Sequence, residues 1–285
     1  MKQSIHTNHK IASQNKEAKS CTACWALLRV RTVAFCFAKQ GGFMSSLWTE
    51  NIEMPEFPTL EKDIRTQVLI IGGGMAGVLC AYFLQQAGVD YCLLEKDRIC
   101  QGVTGHTTAK ITAQHGLIYE KSLQSMGQER AELFLKANLR AVENYKSLGR
   151  FLDCDMEETD SYLYSVRERR KLESEIQALG SLGFQADYVE DTELPFEVEG
   201  AIRFPRQAQF QPLKFAAGIS KNLRIYEHSE VREMTEYFAL TEKGSVAAEK
   251  IIIATHFPFI NTRGSYYLKL YQNRSYVLAL SLIHI

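Results

Sequence analysis

The chain has no excess of either charge: 33 lysines and arginines face 33 aspartates and glutamates. It therefore offers no global basic field, and nucleic acid is not expected as a partner. It also lacks a long uncharged apolar run. The nearest approach, Cys24 to Ala38, is interrupted by Arg29 and Arg31 and falls short of the ~20 residues a membrane-spanning helix needs. No transmembrane segment is expected. The same arginines sit where the apolar core of a signal peptide would lie, and no small-residue cleavage site follows. A disulfide framework is missing too. The seven cysteines (Cys21, Cys24, Cys36, Cys80, Cys92, Cys100, Cys154) are odd in number and irregularly spaced, which speaks against a stapled secreted domain and for a reducing cytoplasm. Cys21 and Cys24 have C-x-x-C spacing, but no second pair follows and no strand–helix context surrounds them, so no metal site is assigned. Internal repeats, low-complexity tracts and coiled-coil heptads are likewise absent.

What is present is an ordinary globular composition, 46% hydrophobic, 23% charged and 11% aromatic over 285 residues, enough for one large core or two modest ones. The charge balance hides an asymmetry. Residues 1–43 carry seven Lys or Arg and one acid, a net of +6, which leaves 44–285 at −6. Residues 1–43 are read as a disordered or non-native extension, with Met44 as a plausible true start.

Val68 to Ile71 is a short apolar run rich in β-branched residues, as expected for a strand buried on both faces of a parallel sheet. Met75 to Ala87 reads as a helix stopped at Gly88, and Tyr91 to Leu94 as a second strand, completing a βαβ unit. Apolar residues from Tyr119 to Leu148 recur at three- and four-residue steps, marking an amphipathic helical region broken at Gly127. A strand at Ser161 to Val166, a helix at Arg167 to Leu179 and a strand at Gly200 to Phe204, ending at Pro205, form a second, mixed region. Pro212 to Ser220 then reads as a helix, and Leu223 to His228 and Ile251 to Ala254 as strands, a return to parallel-sheet material.

The strongest signal is Gly72-Gly73-Gly74-Met75-Ala76-Gly77, a G-x-G-x-x-G directly after a strand and at the start of a helix. Gly72 permits the tight turn, Gly74 leaves room for a pyrophosphate, and Gly77 lets helix and strand pack closely. The phosphates would meet the free N–H groups of Met75 and Ala76 at the helix N-terminus. Glu95 closes the second strand 23 residues after Gly72, where a carboxylate accepts from ribose hydroxyls and repels a 2′-phosphate. NADP is thereby disfavoured, and FAD or NAD remain. Gln101 to Lys110, dense in hydroxyls and glycines, suits a phosphate or ribityl chain and favours FAD.

On these residues, together with the Gly102 to Gly116 segment, Phe210 to Phe215 and Ile251-Ile252-Ile253-Ala254-Thr255, the chain from 45 to about 280 resembles the FAD-dependent oxidoreductases of the D-amino-acid oxidase type, a group that includes glycine, sarcosine and γ-glutamylputrescine oxidases. The resemblance implies an α/β fold: a Rossmann-like FAD-binding domain with a second, mixed α+β substrate domain. The expected boundaries are 44–154 for the first part of the FAD domain, 155–215 for the substrate domain, 216–262 for the return to the FAD domain, and 263–285 for a second substrate segment. It implies FAD as cofactor, held by Gly72, Gly74, Met75, Ala76, Gly77, Glu95, Lys96, Thr104, Thr107, Thr108, Val231 and Thr255, with the backbone near Val231 meeting the adenine. Lys110 falls where relatives place a basic residue beside the flavin, to stabilise charge on the reduced ring; a phosphate or surface lysine is the alternative. His115 is a candidate proton acceptor or else a structural histidine, and His256 stands where relatives have glycine.

The implied reaction is oxidation of a C–N bond in a small amine or amino acid by hydride transfer to flavin. An amino-acid carboxylate would want an arginine clamp, for which Arg203, Arg206, Arg263 and Arg274 are equal candidates. The electron acceptor is open. Relatives continue further, through more substrate-domain strands and a closing Gly-rich segment, whereas this chain stops at an apolar run, Ala279 to Ile285. It is therefore read as truncated, with its C-terminal part missing and Ser281 to Ile285 non-native. The alternatives are a non-catalytic nucleotide-binding fragment and an NAD-linked dehydrogenase.

Overall fold

A computed structural model describes residues 46–49, 52–192, 194–257, 259 and 268–270. In chain order the elements are β1 (Ile64–Ile71), α1 (Met75–Gln86), β2 (Tyr91–Leu94), β3 (Lys110–Ile111), α2 (Tyr119–Met126), α3 (Gln128–Gly149) and β4 (Glu157–Ser165). There follow α4 (Arg169–Ser181), β5 (Asp187–Val189), β6 (Gly200–Gln209), α5 (Pro212–Ser220), β7 (Ile225–Tyr226), β8 (Glu233–Met234), β9 (Phe238–Leu240) and β10 (Ser245–Ile253). The extension at 1–43, the Cys21/Cys24 pair, Arg263, Arg274 and the 279–285 run lie outside the described residues.

Two compact units result. One comprises Ile111–Asn144 and Glu158–Ala208; the other holds the described residues up to Lys110, Tyr145–Glu157 and those from Gln209 onward. The contacts thus divide the chain at 110, 144, 157 and 208, where the sequence reading set its boundaries at 154 and 215.

The second unit is built on a six-stranded sheet in the order β7-β2-β1-β10-β9-β8. β1 runs parallel to β2 and β10, β2 parallel to β7, and β8, β9 and β10 form an antiparallel meander. β1 begins four residues before the expected Val68. Its first half pairs only with β10 (Ile64 with Val246, Thr66 with Ala248), and Arg65 and Gln67 there reach solvent. From Val68 onward β2 joins the other edge, and Leu69, Ile70 and Ile71 are buried, the continuous apolar run of a strand covered on both faces. α1 and α5 pack together, and α1 lies on β1 and β2. Beneath the meander, Leu60, Leu69, Ile71, Cys92, Leu94, Val231 and Val246 share one cluster.

β7 is shorter than the expected 223–228. His228 is left-handed (φ 50°), and the N–H groups of Glu227, His228 and Ser229 bond to Pro58, Asp97 and Glu95 carbonyls instead of extending a ladder. One core atom is left over: the Thr66 hydroxyl is buried, with no hydrogen-bond partner among the described residues. An unsatisfied buried hydroxyl costs about 1–3 kcal/mol. Thr66→Val, close in shape, is therefore expected to raise stability by about 1 kcal/mol, measured as a higher urea midpoint at unchanged slope; an unchanged or lower midpoint would show that the hydroxyl is satisfied.

The first unit carries a sheet in the order β3-β6-β4, with β5 antiparallel to β6. The expected stop at Pro205 does not occur, because β6 runs through to Gln209. Arg206 takes a left-handed conformation (φ 56°), and its N–H donates to Asp160 Oδ1 at 3.0 Å. The strand thus bends at the proline and resumes, as strands do at bulges. Gly127 (φ 80°) breaks the long helical region into α2 and α3 as its sequence predicts. α2 packs on α4, and Tyr119, Phe204 and Phe184 stack through ring centroids 6.3 and 4.9 Å apart.

Candidate cofactor site

The site is assembled at the C-terminal ends of β1, β2 and β10. The chain leaves β1 through α1 to β2 on one side, while β10 pairs on the other, so this is a point where strand order reverses and a crevice opens above the sheet. Gly72 makes the turn at φ 109°, in the left-handed region that favours glycine. Its N–H donates to Leu94 O at 2.8 Å, and Ala254 N–H donates to Ile71 O at 2.8 Å, so the three strand ends are tied together. Gly77 is enforced by packing: a Cβ there would stand 1.9 Å from Gly72 O.

Gly74 is different. Among the described residues a Cβ at this position would meet nothing closer than Thr104 Oγ1 at 3.7 Å, and its backbone is extended, at φ −74°. No packing or strain requires glycine here. Among the described residues the space beside Gly74, at the N-terminus of α1, is open, as the approach of a phosphate group needs.

Two N–H groups beside this space have oxygen acceptors within the chain. Gly73 N–H donates to Glu95 Oε2 at 2.6 Å and Met75 N–H to Thr104 Oγ1 at 3.0 Å. Asp97 N–H donates to Glu95 Oε1 at 3.0 Å, which holds the carboxylate at the end of β2. At the end of β10 the Thr255 hydroxyl oxygen is buried, with no partner among the described residues. An orphaned buried hydroxyl beside a glycine turn is what a ligand phosphate or hydroxyl satisfies. These residues fit a dinucleotide: Gly72, Gly74, Met75, Gly77, Glu95, Thr104 and Thr255 are brought to one sheet edge.

The other expected residues are placed less decisively. Ala76 is exposed on the first turn of α1, Lys96 is exposed with Nζ 3.5 Å from Asp97, and Thr108 is exposed. Thr107 accepts the Trp48 indole N–H on its carbonyl at 2.7 Å. Val231 turns its side chain into the core cluster, leaving its backbone for any ligand contact. Lys110 is exposed at the start of β3. His115 belongs to the other unit, where its Nε2 lies 3.1 Å from Asn138 Oδ1. Of the arginine candidates, Arg203 is already engaged: Nε and an Nη both donate to Asp187 Oδ2, at 3.0 and 2.5 Å, with Asp160 3.6 Å away.

Four free cysteines lie in the described residues. Burial pushes the Cys92 and Cys100 thiols up to about 12, which keeps them protonated and inert. The sequence reading missed Cys100 as part of the turn: its N–H donates to Gly73 O at 2.9 Å. It also missed Glu227, a buried acid behind the same loop. Neither carries a local signal, since a lone acid or cysteine in a loop is ordinary until its long-range partners are seen. Among the described residues no group of three or more His, Cys, Asp or Glu could hold a metal, and no helix is long and apolar enough to cross a membrane.

The chain is 34% identical over 257 residues to a Bacillus subtilis (strain 168) protein carrying the provisional name Rieske 2Fe-2S iron-sulfur protein YhfW, covering 86% of this chain and 50% of that one. It is 24% identical over 220 residues to the γ-glutamylputrescine oxidoreductase of Escherichia coli (strain K12), covering 70% and 50%. The chain thus spans about half the length of these curated relatives. In fold it is similar to L-proline dehydrogenase from P. horikoshii, with a TM-score of 0.54 at 20% identity over 70% of this chain and 54% of that one. A family model described as FAD dependent oxidoreductase matches residues 67–284, more than half of the sequence; the chain belongs to this family of FAD-dependent oxidoreductases, and its cofactor is accordingly FAD and not NAD.

Proposed function

We propose that the protein oxidises a C–N bond of a small amine or amino acid, with FAD bound across the β1, β2 and β10 ends. The observation that carries the reading is the open space at Gly74, faced by Thr104, next to a Gly73 N–H held by Glu95 and a Thr255 hydroxyl with no partner among the described residues. FAD, when bound, supplies the acceptor for a hydride leaving the carbon beside nitrogen. The chain's own residues do the binding. Met75 and Ala76 N–H groups and the positive end of α1 hold the pyrophosphate, with Thr104 handing its Met75 bond to a phosphate oxygen or sharing it. Glu95 accepts from ribose hydroxyls, Thr255 donates its hydroxyl, and Lys96, Thr107, Thr108 and the Val231 backbone line the remainder. By resemblance alone, Lys110 would provide a cation for charge on the reduced ring and His115 would accept a substrate proton. In this reading the unit that holds the described residues up to 110, 145–157 and those from 209 on is the FAD domain, and 111–144 with 158–208 the substrate domain. The free buried thiols suit a cytoplasmic setting.

Support comes from two relatives whose printed names describe amine or amino-acid oxidoreductases. The test is direct. Purified protein titrated with FAD is expected to show the visible bands of bound flavin, and anaerobic addition of amines and amino acids should bleach them. A flavin-loaded, folded protein that no amine or amino acid reduces would overturn the reading.

A second reading concerns the electron acceptor, and the Bacillus relative's printed name favours it. A Rieske centre needs two cysteines and two histidines around its irons, a set with no counterpart among the described residues. Electrons from the substrate would then leave through an iron–sulfur centre carried elsewhere in the full protein. Anaerobic amine should produce the paramagnetic signal of a reduced [2Fe–2S] centre in a protein holding both halves; flavin bleaching without that signal refutes this acceptor.

A further inference from the structure

Glu227 is an acid with a 1% exposed surface, one residue beyond β7. Its two oxygens do not point at solvent or at the space beside Gly74. Oε1 accepts the Ile99 N–H at 2.8 Å, Oε2 accepts the Phe57 N–H at 3.2 Å, and Arg98 Nε lies 3.6 Å from Oε2. Arg98 in turn donates to the carbonyls of Met54 and Pro55, both at 3.3 Å. The backbone repeats the pattern: Glu227 N–H donates to Pro58 O, His228 N–H to Asp97 O and Ser229 N–H to Glu95 O. One carboxylate thus joins three segments, 54–60, 95–100 and 226–231, that are far apart in sequence.

The middle segment is the one that matters for the cofactor. It carries Glu95 at one end and Cys100 at the other, and both grip Gly73, Glu95 through the Gly73 N–H and Cys100 through the Gly73 carbonyl. Ile99, whose N–H Glu227 holds, also supplies the side chain nearest to Gly73, since a Cβ there would stand 2.8 Å from its Cγ2. Glu227 therefore fixes the loop from behind while the loop fixes the glycine turn from the front. Burying a carboxylate is costly unless its oxygens are fully used. Here two N–H donors and a guanidinium use them, at a place where an apolar residue would pack without this demand.

We infer that Glu227 is a positioning residue for the adenosine half of FAD: it sets the 95–100 loop so that Glu95 stands at ribose distance from the glycine turn. The inference rests on the FAD reading above. Substitution by glutamine keeps one acceptor, but turns an NH2 toward the second N–H and removes the charge facing Arg98.

The experiment is FAD and ADP binding to the flavin-free protein, together with its unfolding midpoint, for the wild type, Glu227→Gln and Arg98→Lys. Glu227→Gln is expected to raise the Kd for FAD and for ADP by the same factor, about tenfold, at temperatures well below unfolding and with the visible spectrum of bound flavin unchanged. Arg98→Lys, which keeps the charge but loses the fork, should raise both by about threefold. A residue that only supports the fold would lower the midpoint and leave both Kd values alone, and that result overturns the proposal. If Glu227→Gln does not fold, an Arg98→Lys protein with wild-type Kd values overturns it equally. A wild-type protein that binds neither FAD nor ADP overturns the FAD reading itself and this inference with it.

Discussion

Gly74→Ala is expected to reduce FAD affinity by about 100-fold, equivalent to ~2.7 kcal/mol, while changing the stability of the flavin-free protein by no more than about 1 kcal/mol, since alanine caps α1 less well than glycine but stiffens the unfolded chain. The separation of the two effects is the point of the prediction. Among the described residues a Cβ at 74 meets no atom closer than 3.7 Å, and φ there is −74°, so alanine strains nothing and trims the entropy of the unfolded chain. The same Cβ stands in the volume through which a pyrophosphate must approach the α1 N-terminus. Gly77→Ala makes the contrast. Its Cβ would lie 1.9 Å from Gly72 O and 3.1 Å from Gly72 C, both main-chain atoms, so α1 must retreat from β1 and the fold pays about 1–3 kcal/mol or more. Gly77→Ala should therefore lose stability and FAD together. Flavin fluorescence titration and urea unfolding on both variants check this. A Gly74→Ala protein that binds FAD within threefold of wild type would mean that the space beside Gly74 is not where the phosphates sit.

The parts of this arrangement that could be read from sequence are those encoded within a few residues. The glycine turn, the apolar end of β1, all of β2 and the start of α1 are local: chirality, hydrophobic run length and helix N-terminal chemistry specify them without help. Gly127 as a break and Pro212 as a helix start are legible for the same reason. What escaped the sequence depended on partners far along the chain. Pro205 reads as a strand end because a proline lacks an N–H, yet Asp160 receives the next N–H and β6 goes on. The Leu223 to His228 run reads as a full strand, yet the Pro58 and Asp97 carbonyls take its last two N–H groups and leave two residues in the ladder.

The site shows the same division. Glu95 and Thr104 lie in or just after the motif and were visible, whereas Glu227 looks like any surface glutamate until the segments it joins are folded. His115 and Lys110 remain candidates by resemblance, since exposure and an asparagine contact give them no chemistry of their own.

Glu175 is the second buried acid invisible to sequence, and its removal is the largest stability loss expected in the first unit. α2 begins at Tyr119 behind Ile118, which supplies no side-chain cap. The missing cap comes from α4: Glu175 Oε1 accepts the Tyr119 N–H at 2.8 Å and Oε2 the Glu120 N–H at 2.9 Å. Glu175→Ala leaves two N–H groups at a buried helix end without acceptors, at about 1–3 kcal/mol each, so a loss of about 3 kcal/mol is expected, with faster hydrogen exchange in a peptide covering 117–126.

Glu175→Gln separates charge from geometry. Burial pushes the Glu175 carboxyl above its ordinary value, against the backbone N–H bonds that pull it down. The folded state therefore binds this proton more tightly than the unfolded chain does. The stabilisation linked to that proton is fully present below the ordinary carboxyl value and is lost as pH rises through the raised one. Glutamine has no such dependence. The stability advantage of the wild type over Glu175→Gln should accordingly be greatest in acid and shrink on going to neutral pH, measured by urea unfolding of both proteins across that range. An advantage that grows with pH would mean that the backbone bonds outweigh burial and that the carboxylate is held ionised as a helix cap.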